Sequence, residues 1–315
     1  YTSNDVTCYV EDIPANEVDN WARIQADRFQ NMVIRGFHTE LEAVYEEYNI
    51  HLSNDGDKVW NALGTKLFPT HPYGTQTTIG TQEHLKNPSI TNIKNYFRQY
   101  YVPNNVAICM AGDFDPEQVV ATIDRYFGAW RPSRKVTYPE FAPVRTLTAP
   151  TDTTVVGKEA EQVMLGWKMD GAASLQNDTL NVITYMLNNG TAGLLDLDVN
   201  QPMLCLGAGA GCIDMRDYSQ FVMVGQPNEG QTLEAVKDIL LAEINKLKRG
   251  DFSEKLLSSV KNNLKLNFLR SLDSNSSRAN AFVQTFVNGR PWQTEVEKFD
   301  RINAMTKQQI VDFMN

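Results

Sequence analysis

Four glutamates crowd one short stretch of this chain, Glu40, Glu42, Glu46 and Glu47. Carboxylates at that density either solvate a helix face or gather around a cation. Glu40 and Glu47 stand seven residues apart, close to two helical turns, so a helix presents both on one face, whereas Glu46 lies about 100° around from Glu47. By themselves the four fit a solvated acidic face. The histidines add no metal motif. His38, His51, His71 and His84 form neither HExxH nor HxxEH, nor any histidine pair at helical ligand spacing. His71 falls in the loop 69–75, where a role in the turn is expected. Cys8, Cys109, Cys205 and Cys212 are scattered without CxxC spacing and read as small core residues that set no redox compartment.

Positioning such side chains takes regular elements. The run Val6–Val10 is β-branched and aromatic and predicts a strand. A helix is expected over 17–33, with Val18, Trp21, Ile24, Ala26, Phe29 and Val33 along its apolar face. Gly36 punctuates it, and a helix from about Thr39 to His51, with Thr39 as N-cap, carries the glutamates. Further helices are expected near 59–67 and from Ser89 to Tyr101. A strand at Val106–Ala111 leads to the helix opened by Asp115, Pro116 and Gln118. Four prolines from Pro132 to Pro150 predict an extended linker. Beyond it, strands are expected at 153–156, 162–167 and 220–225, and helices at about 177–187, 232–248 and 253–269.

The 315 residues are 42% apolar and 10% aromatic, enough for substantial cores in two domains. The expected division is a first unit at 1–131, the linker at 132–149 and a second unit at 150–315. A net charge of −9 and a pI near 5.0 argue against a nucleic-acid surface. Such a charge either confers solubility or attracts basic peptides. No apolar run approaches the roughly 20 residues of a membrane span, and no basic-then-apolar leader opens the chain.

A faint internal repeat relates the two units. Phe37-x-x-Glu40-Leu41 is mirrored by Phe252-x-x-Lys255-Leu256, an offset of 215 residues, and Ser89-x-x-x-Ile93-x-x-Tyr96 by Thr306-x-x-x-Ile310-x-x-Phe313, an offset of 217. The counterparts of Glu40 and Glu47 are then Lys255 and Asn262, so the second unit is expected to be non-catalytic. The repeat also implies that about 65 to 70 residues of the first unit precede Tyr1, and that the second unit continues past Asn315.

The opening segment 1–9 resembles the "N-A-y-T-s-x-D-x-T-x-Y" stretch of the pitrilysin/insulinase-type peptidases, the inverzincins that bind zinc through HxxEH. Three further blocks agree in order: Glu40 to Glu47, His71-Pro72-Tyr73-Gly74 with Ile79-Gly80, and Tyr101 to Asn105 leading to Ala111-Gly112-Asp113. The likeness covers residues 1–128 well, and the second domain only in its arrangement of elements. It implies an α+β fold of two related α/β units, each an antiparallel-rich sheet packed with helices, as in mitochondrial processing peptidases too. It implies that Glu47 is a zinc ligand, with Glu40 supporting the site from behind it. The chain lacks HxxEH, so it is expected to be an inactive piece of the catalytic half of a zinc metalloendopeptidase, binding no zinc by itself. The expected partners are peptide substrates and a homologous second half, with no nucleic acid and no membrane span. A bacterial periplasm or cell envelope is the expected location. Two alternatives stand beside this reading, a non-catalytic homologue serving as scaffold and a peptide-binding or chaperone-like module.

Overall fold

A computed structural model describes residues 1–134 and 136–315; Lys135, inside the expected linker, lies outside the described residues. In chain order come α1 (Val18–Gln30), α2 (Phe37–Ser53), α3 (Asp55–Leu67), the single turn α4 (Pro72–Thr75), α5 (Gln82–Lys86), α6 (Ile90–Tyr100) and α7 (Pro116–Phe127). There follow β1 (Val163–Asp170), α8 (Gln176–Leu187), β2 (Gly207–Ile213), β3 (Tyr218–Gln226), α9 (Leu233–Arg249) and α10 (Glu254–Ser271). The chain closes with α11 (Asn275–Val287), α12 (Trp292–Val296), α13 (Lys298–Ala304) and α14 (Lys307–Met314). The fold is α+β, rich in helix with a small antiparallel sheet. No helix among the described residues is long and apolar enough to cross a membrane.

Two compact units divide the chain, and neither is continuous in sequence. The first comprises Tyr1–Asn54, Gln76–Pro143 and Ser274–Val283, and the second Asp55–Thr75, Val144–Asp273 and Gln284–Asn315. This differs from a consecutive division because α3 and α4, expected with the first unit, pack in the second, where α3 lies on β1.

In the first unit α1 packs on α7, and α2 on α5. The buried face of α1 is Ala22, Gln25 and Ala26, whereas Ile24 and Val33, expected to face inward, are 58% and 67% exposed. Two alanines let α7 approach closely, and Gln25 is accommodated because its amide donates to Glu11 Oε1 at 2.9 Å. At the start of α2, Gly36 rather than Thr39 occupies the N-cap, with φ +62°, a left-handed conformation that favours glycine. Asp115 caps α7 as its sequence predicts, accepting from the N–H groups of Glu117 and Gln118. The strands expected at Val6–Val10 and Val106–Ala111 do not form. Only an isolated antiparallel bridge, Thr2 to Thr7, is present there, since a strand requires a neighbour to complete its ladder.

The second unit is built on the sheet β1-β3-β2, antiparallel throughout. Thr153–Val156, expected as a strand, lies outside it, with Val156 87% exposed. Central β3 buries Phe221 and Met223 in one core, to which α8, α9 and α10 supply Ile183, Met186, Leu240, Leu247 and Leu257. The Gly-Ala-Gly-Ala-Gly run of β2 carries little β-branched signal, yet its small residues admit α8 against it. Its outer side is met by Asn200, whose amide donates to the Ala208 carbonyl at 2.9 Å and accepts from the Ala208 N–H at 2.8 Å. Val144 is buried in this unit, where its N–H donates to the Tyr218 hydroxyl and its carbonyl accepts from Lys168.

Two polar anchors complete this unit. Asp55, at the start of α3, accepts from Lys58 Nζ and from the backbone N–H groups of Glu159 and Lys158, and these bonds, Lys58 first, hold its carboxyl down at about 2. Gly157 is required beside it, because a Cβ there would stand 2.2 Å from Asp55 Oδ2. His71, 2% exposed, sets Nε2 3.1 Å from Asp217 Oδ2 and packs edge-on against Tyr73 and Tyr218, tying the loop 69–75 to the start of β3.

Candidate functional site

The glutamates ride on α2, a helix of 17 residues with none fully buried. Its half-buried side is Phe37, Leu41, Val44, Tyr45 and Tyr48, at the three- and four-residue spacing of one helical stripe. Tyr45 fixes the helix on α5 by accepting from Gln82 Nε2 at 2.8 Å. Between α2 and α5 opens a groove of about 630 Å³ lined by Leu41, Glu42, Tyr45, Glu46, Leu85 and Lys86, among others.

The four carboxylates therefore separate into two sets. Glu42 and Glu46 border the groove. Glu40 and Glu47, two turns apart, are exposed and are not among its lining residues. Glu40 sits in the first turn, its N–H donating to the Gly36 carbonyl, and its carboxylate suits the positive end of the helix dipole. Glu47 has a neighbour of different chemistry. His51 Nε2 lies 3.9 Å from Glu47 Oε1, one turn along the same face, with the two side chains 50% and 63% exposed. A search for histidine pairs passes over His51, yet the Glu-x-x-x-His spacing is legible in the sequence.

Of the other histidines, the His38 ring meets Phe37, His84 lies in α5, and His71 is buried in the second unit. Carboxylate and imidazole are donor types that zinc accepts, but a catalytic zinc site takes three protein ligands. Among the described residues no three His, Cys, Asp or Glu side chains are grouped to hold a metal ion. In kind the Glu47 face fits zinc, and in number it does not. At the corresponding positions of α10 stand Lys255 and Asn262, both exposed, so that helix presents no carboxylate there.

Residues 89–264, more than half of the chain, match the family model described as the Peptidase M16 inactive domain. The chain is similar to the zinc protease PqqE of Helicobacter pylori, 24% identical over 298 residues that cover 91% of this chain and 66% of that protein. It is similar too to the uncharacterized zinc protease YmxG of Bacillus subtilis, 23% identical over 286 residues that cover 88% of this chain and 67% of the relative. The crystal structure of a protease from Helicobacter pylori superposes with a TM-score of 0.83 at 22% identity, covering 95% of this chain and 73% of that one. The chain thus spans about two thirds of the length of these curated relatives.

Proposed function

The chain belongs to the M16 peptidase family, and from that premise we propose that the whole protein is a zinc-dependent metalloendopeptidase to which this chain contributes one metal ligand, Glu47. The observation that carries the proposal is the exposed face of α2, where Glu47 stands clear of the packed stripe and of the groove, with Glu40 two turns before it. Relatives named zinc proteases support the reading. The other ligands would come from an HxxEH segment elsewhere in the whole protein, and the chemistry the ion supplies is activation of water for attack on a peptide carbonyl.

The part of this chain is to hold a carboxylate in place. Tyr45 and its bond to Gln82 fix the helix, and Glu40 supports the site by its charge from the preceding turns. The chain alone is proposed to be inactive. Its substrates are peptides or unfolded polypeptides, taken into a chamber closed by a homologous second half, and its setting is the bacterial periplasm or cell envelope. A second reading, a non-catalytic homologue acting as scaffold or peptide binder, draws on the description of the matched domain as inactive.

Glu47→Gln in the whole protein should lower peptide hydrolysis by more than about 100-fold through loss of a ligand, while Glu46→Gln, on the groove side, should leave it within about twofold. Equal effects from the two substitutions would sink the assignment, and a whole protein without hydrolytic activity would favour the scaffold reading.

A further inference from the structure

We propose that the turn 203–206 and the groove beside it form a docking surface for a peptide segment that carries both basic and aliphatic side chains. The surface lies wholly in the second unit and does not depend on the metal ligand proposed above. Met203, Leu204 and Leu206 are 69%, 47% and 65% exposed, whereas Cys205 between them is buried in the core. Single exposed apolar side chains are ordinary on a protein surface, but three within four residues, on either side of a buried anchor, make a patch.

The turn is held in place. Asn228 donates its side-chain amide to the Met203 carbonyl at 3.0 Å, and Gln231 donates its own to the Leu204 carbonyl at 2.9 Å. The Leu206 N–H donates to the Gln226 carbonyl at 2.9 Å. Met203 has φ +56°, in the left-handed region, and no other non-glycine residue among those described has a positive φ. Glycine would sit there without strain. Methionine instead displays a long, flexible apolar side chain that adapts to what meets it.

Charge decides the partner. Asn228 and Gln231, which hold the turn, also line a groove of about 620 Å³. Glu161, Glu229 and Glu234, all exposed, line it with them. Carboxylates beside aliphatic side chains attract lysine or arginine, whose stems and apolar neighbours then cover the patch. The same carboxylates repel an anionic lipid surface, and a second copy of a chain with net charge −9 meets that repulsion too.

A short fluorescent peptide of alternating lysine and leucine, titrated into the purified chain at low salt and followed by anisotropy, tests the surface. Leu204→Ser with Leu206→Ser should weaken binding at least about tenfold, as should serine in place of the peptide's leucines. Met203→Gly should weaken it about threefold while leaving the urea midpoint nearly unchanged, because glycine relaxes the turn without unmaking it. Glu229→Gln with Glu234→Gln should weaken it about fivefold at low salt and little at high salt, whereas Glu117→Gln with Glu140→Gln, the same loss of charge in the first unit, should have little effect. Equal weakening by the two glutamate pairs would overturn the proposal, since net charge alone would then explain binding. So would a peptide affinity indifferent to Leu204 and Leu206. Sedimentation showing a dimer that Leu204→Ser with Leu206→Ser disperses would give the patch to a second copy instead. Flotation of the chain with phosphatidylglycerol vesicles, lost in the same variant, would give it to a lipid surface.

Discussion

The two units use similar helices to opposite ends. In the second, helices on a three-stranded sheet bury leucine, isoleucine, methionine and phenylalanine side chains to near-complete exclusion of water. In the first, the buried apolar residues among those described are Ala22, Ala26 and Val102, while Ile50, Tyr96 and Val120 remain 68%, 60% and 67% exposed. Side-chain caps occur in both, Ser89 on α6 and Thr306, with a capping box, on α14. Local sequence thus suffices for a helix, whereas a core needs a second surface to meet. The unit with the deep core has neutral or basic residues where the other displays its carboxylates. Stability and candidate chemistry are carried by different parts of the chain.

The sharpest way to break that contrast is to empty one site in each unit. Leu240→Ala, at a position with 0% exposure against β3, should cost about 2–5 kcal/mol, read from the urea midpoint. Ile50→Ala on α2 should stay within about 0.5 kcal/mol. Comparable losses would mean that the first unit has a core of its own. A smaller effect sharpens the point about local structure. Ser89→Ala and Thr306→Ala each remove a side-chain cap from an N–H three residues on, Asn92 and Gln309, and each should cost about 1 kcal/mol. Only the Thr306 loss should appear in the transition of the second unit. The gentlest probe is acid. Asp55 has its folded value lowered to about 2, so its bonds contribute above the ordinary carboxylate value near 3.8 and are lost as pH falls through the folded value. Between pH 4 and 2 the wild-type chain should therefore lose stability that Asp55→Asn does not, whereas parallel curves would dismiss the anchor.

Much of this architecture is legible in the sequence, for reasons that name its limits. Asp115-Pro116 announces its helix because a cap is a contact within a few residues, and that cap is observed; Thr232 and Ser253, where two further helices are expected to start, cap them as well. The strand expected at Val6–Val10 fails because a ladder needs a partner that propensity cannot supply. β2 is hidden by its glycines and alanines, which are chosen for what packs on them. The face of α1 is read only in part: Ala26 is expected there and is buried, but Ala22 and Gln25, small or polar, carry no strong apolar signal, and Ile24 is left exposed. At the site, period alone places Glu40 and Glu47 on one face. His51 is passed over because its partner is a carboxylate rather than a second histidine.

One small feature of the second unit bears on how the chain behaves in company. A strand at the border of a sheet invites other chains to add to it, and β2 pairs with β3 alone among the described residues. By taking both the N–H and the carbonyl of Ala208 with a single side-chain amide, Asn200 occupies the bonds an incoming strand would need there. Loss of that amide would then register as self-association and precipitation during expression, a defect of solubility rather than of folding energy.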